Sequence, residues 1–189
     1  MNALTLLKQD HNNVDDLFER FEHAGEDAAE KREIVDKVIE HLAVHAAIEE
    51  QVFYPALRAA IPDLSAEVLE GLEEHHIVKW VLSELEKMSP TDERFEAKVI
   101  VLIENVRHHI KEEEDDMFPR VREALTVEQL NEMGDALETA KKTAPTRPHP
   151  RTPDTPPLNV IVGQAAAAVD RLATTGRERV ERLLHPPRH

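Results

Sequence analysis

Cysteine is missing from the sequence, which excludes disulfides and thiolate metal sites. Glycine is scarce, with five in 189 residues, and valine, isoleucine and threonine recur at helical spacing. Nothing in the body therefore reads as a strand. No apolar run approaches the roughly 18 residues that mark a membrane-spanning helix. No basic segment followed by an apolar run stands at the N-terminus, so no signal peptide is read and a cytoplasmic protein is expected. Basic residues are in the minority: residues 1–144 hold 16 lysines and arginines against 34 aspartates and glutamates. So acidic a body argues against sequence-independent nucleic-acid binding, which rests on neutralising phosphates.

Proline is concentrated instead of scarce. Six of the twelve prolines fall between Pro145 and Pro157, and residues 144–157 read as an extended linker. Beyond Thr143 the charge reverses, with seven arginines against four acids in residues 145–189. Residues 158–189 form a basic tail with a weak apolar face that includes Ile161, Val169, Leu172 and Leu183. Gly163 and Gly176 weaken it further, so a marginal, partly disordered helix is expected. Contact of residues 158–184 with a membrane surface or a protein is the functional alternative.

Ahead of the linker, apolar residues recur at the alternating 3/4 spacing of a bundle seam. The stripes predict helices over 2–23, 28–60, 65–88 and 92–125. Short breaks near Gly25, at 61–65 and at 89–91 make neighbours antiparallel. The fold expected is all-α, an up-down-up-down four-helix bundle over 1–125. Ser65 and Thr91 are candidate N-caps, and Pro55 and Pro119 should kink their helices or mark their last turns. Residues 126–143 hold a short fifth helix, opened by Thr126 with Gln129 in capping-box spacing.

Three positions in each half break the apolar stripe. His11 and His75 stand on the first and third helices, and His45/Glu49 and His109/Glu113 on the second and fourth. The halves superpose at an offset of 64 residues, which also pairs Val14 with Val78, Tyr54 with Phe118 and Pro55 with Pro119. His-x-x-x-Glu places both side chains on one helix face. A single such pair is common by chance and is usually a surface contact, and one stripe histidine is usually a satisfied core residue. Six stripe positions repeated at one offset are different. Two buried carboxylates facing four imidazoles need partners, and no lysine or arginine stands on the stripe at that level. Two di- or trivalent cations would supply the charge, with iron, manganese or zinc suited to nitrogen and oxygen donors. Glu49 and Glu113 are the natural shared ligands.

Other polar residues read more simply. His76 and His108 neighbour the stripe histidines in sequence and point about 100° away. His41, one turn before His45, is a candidate second-layer or inter-helix contact. Glu50, Glu112, Glu114, Asp115 and Asp116 read as a solvated face. Tyr54 is the only tyrosine in the chain. It is a candidate additional ligand or hydrogen-bonding neighbour, although an ideal helix would put it about 140° from Glu49.

The motifs "QDHNNV", "HAAIEEQVFYP", "EEHHIVKW" and "HHIKEEEDDMFP" resemble the hemerythrin-like domain of the HHE cation-binding family. The resemblance spans about residues 1 to 140. It implies a four-helix bundle holding two non-haem irons, often oxo- or hydroxo-bridged, with iron ahead of manganese or zinc. The ligands it implies are His11, His45, Glu49, His75, His109 and Glu113. It also implies handling of dioxygen, peroxide or nitric oxide, or the sensing or buffering of iron. The chain departs from the invertebrate oxygen carriers, which have His-x-x-x-His on the third helix and His-x-x-x-x-Asp on the fourth. Here His75 is followed four residues later by Lys79, and His109 by Glu113. The donor set is one histidine poorer, which argues against reversible oxygen carriage. The reading expects a di-iron protein that binds or reacts with a small molecule, with peroxide disproportionation as the enzymatic form. The alternative is a non-enzymatic iron or oxygen sensor, or an iron buffer, signalling through the C-terminal tail.

Overall fold

A computed structural model describes residues 1–151. The remainder of the linker and the tail, 152–189, lie outside the described residues. Among the described residues there is no strand, and the order of elements is helical throughout. Helix α1 spans Ala3–His23 and opens at Asn2, whose side chain accepts from the Thr5 amide at 2.9 Å. Helix α2 spans Ala28–Ile48, with Asp27 as its N-cap. After a π turn, Glu49–Phe53, the chain continues as α3, Tyr54–Ala60. A 3₁₀ turn, Pro62–Leu64, leads into α4, Ser65–Leu85. Helix α5, Phe95–Glu112, passes through a second π turn, Glu113–Met117, into α6, Phe118–Ala124. Helix α7, Val127–Lys141, starts with the expected Thr126–Gln129 capping box.

The caps expected at Ser65 and Thr91 do not form. Ser65 is itself the first residue of α4, entered directly from the 3₁₀ turn. Thr91 belongs to a local turn in which Asp92 Oδ2 accepts from the Ser89 amide at 2.7 Å, and α5 begins only at Phe95.

The two prolines act through the π turns. Proline lacks an N–H and clashes with the carbonyl four residues back. Each proline is preceded by a widened turn in which Tyr54 N–H reaches Glu49 O and Phe118 N–H reaches Glu113 O. These are five-residue bonds, and the two turns occupy matching places in the two halves. A single π turn of this kind is a frequent device at functional sites.

Two apolar clusters flank a polar layer. One gathers Leu7, Ile48, Phe53, Leu57, Leu72, Phe118 and Val121, and the other Val14, Phe18, Leu42, Val78, Leu82, Leu102 and Val106. On every long helix the six polar stripe residues fall between members of the two clusters. Helix α7 packs on α1, α2 and the first π turn. It approaches closely at Gly134, where a Cβ would come within 2.0 Å of the Met1 carbonyl oxygen. Past α7 the first residues of the Pro-rich stretch lie on the bundle, with Ala144, Pro145 and Pro148 buried. No helix among the described residues is long and apolar enough to cross a membrane.

Candidate metal centre

The six stripe residues meet in the polar layer, and all are buried. His11, His45, Glu49 and Glu113 present ligand atoms within 4.8 Å of one another, and so do Glu49, His75 and His109. Glu49 belongs to both groups. Its Oε2 lies 3.2 Å from His45 Nε2 and 3.3 Å from His75 Nε2, so it reaches into both halves of the repeat. Glu113 Oε2 lies 3.3 Å from His11 Nε2 and 3.8 Å from His109 Nε2.

The donors point at one another without satisfying one another. His11 Nε2, His45 Nε2, both oxygens of Glu49 and Glu113 Oε2 are buried with no hydrogen-bond partner. Orphaned groups of this kind are costly unless something outside the chain binds them. Donor spacings of 3.2–3.3 Å match neighbouring positions on a coordination shell with bonds of about 2.1 Å. The residues present therefore fit a bound metal cation.

A carboxylate stands behind each imidazole. His11 Nδ1 is 2.9 Å from Glu114 Oε1, and His75 Nδ1 is 3.2 Å from Glu50 Oε1. His109 Nδ1 is 2.7 Å from Glu74 Oε2. His45 Nδ1 faces Asp10 Oδ2 at 3.9 Å, longer than a direct hydrogen bond. These partners obey the same 64-residue offset: Glu50 matches Glu114 and Asp10 matches Glu74. An acceptor at Nδ1 fixes the proton there and leaves the Nε2 lone pair facing inward, as metal-ligating histidines require.

Glu50 and Glu114 thus leave the solvated face to which sequence assigned them. Glu50 is 5 % exposed and receives Lys79 Nζ at 2.7 Å, while Lys8 Nζ meets Glu114 at 2.6 Å. Lys141 does the same for Asp10 at 2.5 Å. Lys79 is a buried cation that sequence did not place at this level. It neutralises the outer carboxylate Glu50 and leaves the central pair, Glu49 and Glu113, without a lysine or arginine among their described contacts.

Burial, and then the charge of Glu113, push the Glu49 carboxyl well above the usual range. Burial works in the same direction on Glu113, but His109 and His11 outweigh it and hold that carboxyl low. The two carboxyls are thus driven apart, Glu49 toward its protonated form and Glu113 toward its ionised form. Burial depresses His45 to about 4 and lowers His75 as well, which keeps both imidazoles neutral and able to donate lone pairs.

Tyr54 enters this layer because of the π turn. A five-residue turn brings it to roughly 50° from Glu49 instead of the 140° of an α-helix. Its hydroxyl donates to Glu113 Oε1 at 2.9 Å and lies 3.5 Å from His109 Nε2. Gly71 makes the room: a Cβ there would stand 2.9 Å from the Tyr54 hydroxyl. The repeat partners of Tyr54 and Gly71 are Phe118 and Leu7, so the second half presents a glycine to Tyr54 at the position where the first half has a leucine. Burial, with Glu113 nearby, raises the Tyr54 phenol well above its ordinary range. His41 is exposed and joins neither ligand group. His76 and His108 are exposed too, as expected.

A cavity of about 320 Å³ adjoins the four histidines. Its wall is largely apolar, with Val14, Leu42, Val78 and Val106, and His41 and Thr146 also line it.

Comparison with known proteins agrees with this geometry. The hemerythrin HHE cation binding domain matches residues 2–121. A hemerythrin-like protein of Schizosaccharomyces pombe is 33% identical over 132 residues, covering 69% of this chain and 65% of that protein. A DNA nickase of Nostoc is 28% identical over 141 residues, covering 75% of this chain but 39% of its own length. The chain thus spans less than two thirds of either of these relatives. The crystal structure of a hemerythrin HHE cation binding domain-containing protein from Mycobacterium kansasii superposes with a TM-score of 0.61 at 26% identity, covering 75% of this chain and 88% of that one. With the domain matched over most of the bundle and its histidines and glutamates gathered into one buried layer, the chain belongs to the hemerythrin HHE cation-binding family.

Proposed function

We propose that the chain is a non-haem di-iron protein that binds or reacts with a small molecule of the dioxygen, hydrogen peroxide or nitric oxide class. The observation that carries this is the sharing of Glu49 between two groups of donors. His11, His45, Glu49 and Glu113 would hold one iron. Glu49, His75 and His109 would hold the other, with Tyr54 as the additional donor where the oxygen carriers have a further histidine. Nitrogen and carboxylate donors without thiolate suit iron, and the two anionic glutamates favour its higher oxidation state. Iron, when bound, would supply an open coordination position and redox equivalents.

The chain's own residues do the rest. The carboxylates behind the imidazoles orient them and raise their basicity. The valines and leucine of the cavity favour a small, uncharged ligand over a hydrated ion. The Tyr54 hydroxyl donates to Glu113 at 2.9 Å in the metal-free chain and would give up that proton on binding iron. Peroxide disproportionation, in which two peroxides give two waters and one dioxygen, is the reaction this arrangement suits best. Oxygen release on adding hydrogen peroxide to the iron-loaded protein tests it. Release should be lost in Glu49→Ala, and release that survives the substitution would place the chemistry elsewhere.

A further inference from the structure

The polar layer is reached from a second side. A cleft of about 100 Å³ lies between α4 and the α5–α6 helix. It shares only His109 with the apolar cavity. Carboxylates dominate its lining: Glu67, Glu70, Glu74, Glu112 and Asp116, against the single cation Arg120. Arg120 is engaged at one edge, paired with Glu67 and donating to the Asp63 carbonyl at 3.0 Å. Glu70 and Asp116 are exposed, while Glu74 and Glu112 are half-buried. The lining then passes to His109 and Glu113. Glu113 is 2 % exposed and its Oε2 has no hydrogen-bond partner, so the cleft leads to an unsatisfied buried anion. At its rim Glu74, His108 and Glu112 offer three ligand atoms within 4.8 Å of one another.

We infer that this cleft is the route by which a divalent cation reaches the centre, with Glu74, His108 and Glu112 as a transient stop. The inference rests on the dinuclear reading above. A hydrated cation loses water only where oxygen donors replace it, and a graded run of carboxylates supplies them. The apolar cavity is lined by two carboxylates, Asp10 and Glu40, and Asp10 is already held by Lys141 at 2.5 Å. Converging like charges in a low-dielectric cleft also concentrate counter-ions and raise their rate of association. The bundle thus separates two traffics, charged metal between α4 and α6 and uncharged small molecule through the apolar cavity.

The test is the rate at which the metal-free, full-length protein withdraws ferrous ion, under anaerobic conditions, from a coloured chelator. Combining Glu70→Gln, Glu112→Gln and Asp116→Asn should slow uptake about tenfold or more and flatten its dependence on salt. The final number of irons per chain should not change. His108→Ala, which leaves every carboxylate in place, should slow uptake by a smaller factor. Glu40→Gln, beside the apolar cavity, should leave the rate as it was. An unaltered rate in the triple variant, equal slowing by Glu40→Gln, or a reduced final count would each overturn the route. If the unaltered chain takes up no ferrous ion, the dinuclear reading fails before any variant is compared, and the route fails with it.

Discussion

The Tyr54 hydroxyl donates a 2.9 Å hydrogen bond to Glu113 Oε1, joining the α2–α3 helix of one half to the π turn of the other. As Tyr54 is the only tyrosine in the chain, any phenolate signal belongs to it. The ferric protein should show a visible phenolate-to-iron charge-transfer band, and Tyr54→Phe should abolish it while two irons remain bound. A band that survives in Tyr54→Phe would rule this ligand out.

Gly71→Ala tests the same contact from the other side. The added Cβ would stand 2.9 Å from the tyrosine hydroxyl, closer than real Cβ atoms come, so the ring must move. Overpacking of this kind costs about 1–3 kcal/mol. The unfolding midpoint should fall accordingly, and the visible band should shift without loss of iron.

The carboxylates behind the imidazoles should separate by their partners. Glu74→Gln weakens the acceptor at His109 Nδ1, and losing such an outer contact lowers metal affinity by about 10–100-fold. Glu50→Gln does this to His75 and also strips the charge from the partner of buried Lys79. Breaking one side of a buried ion pair costs about 3–5 kcal/mol. Chelator competition should therefore show both variants weakened, while denaturant unfolding of the metal-free proteins should single out Glu50→Gln.

Metal removal should destabilise the unaltered chain, because the buried carboxylates and imidazoles of the centre then have nothing to satisfy them. Glu49→Gln replaces the buried acid beside Glu113 with a neutral amide at nearly constant volume. The metal-free form of that variant should melt at a higher temperature than the metal-free parent, and gain less from added iron. A parent whose melting temperature ignores chelation would contradict this.

The six central residues could be read from sequence because they interrupt four apolar stripes at one offset, and burial is what those stripes report. The four outer carboxylates obey the same offset, yet Glu50 and Glu114 looked solvated. Each follows a central glutamate by one residue, about 100° around the helix, and a single helix gives no sign that a neighbour's histidine waits there. Matching Glu50 to Glu114 and Asp10 to Glu74 would have exposed them. Tyr54 was placed by a backbone event, the π turn ahead of Pro55, which no side-chain period encodes. Helix ends shifted for a similar local reason, as at Thr91, whose turn took the hydrogen bonds that a cap would have used.

Iron counted per chain, after anaerobic ferrous loading and removal of excess metal, tests the shared glutamate most directly. The unaltered protein should hold two irons and develop near-ultraviolet absorption on oxidation, and Glu49→Ala should hold fewer than two and lose that absorption. Two irons retained in Glu49→Ala, or none in the unaltered chain, would contradict the account.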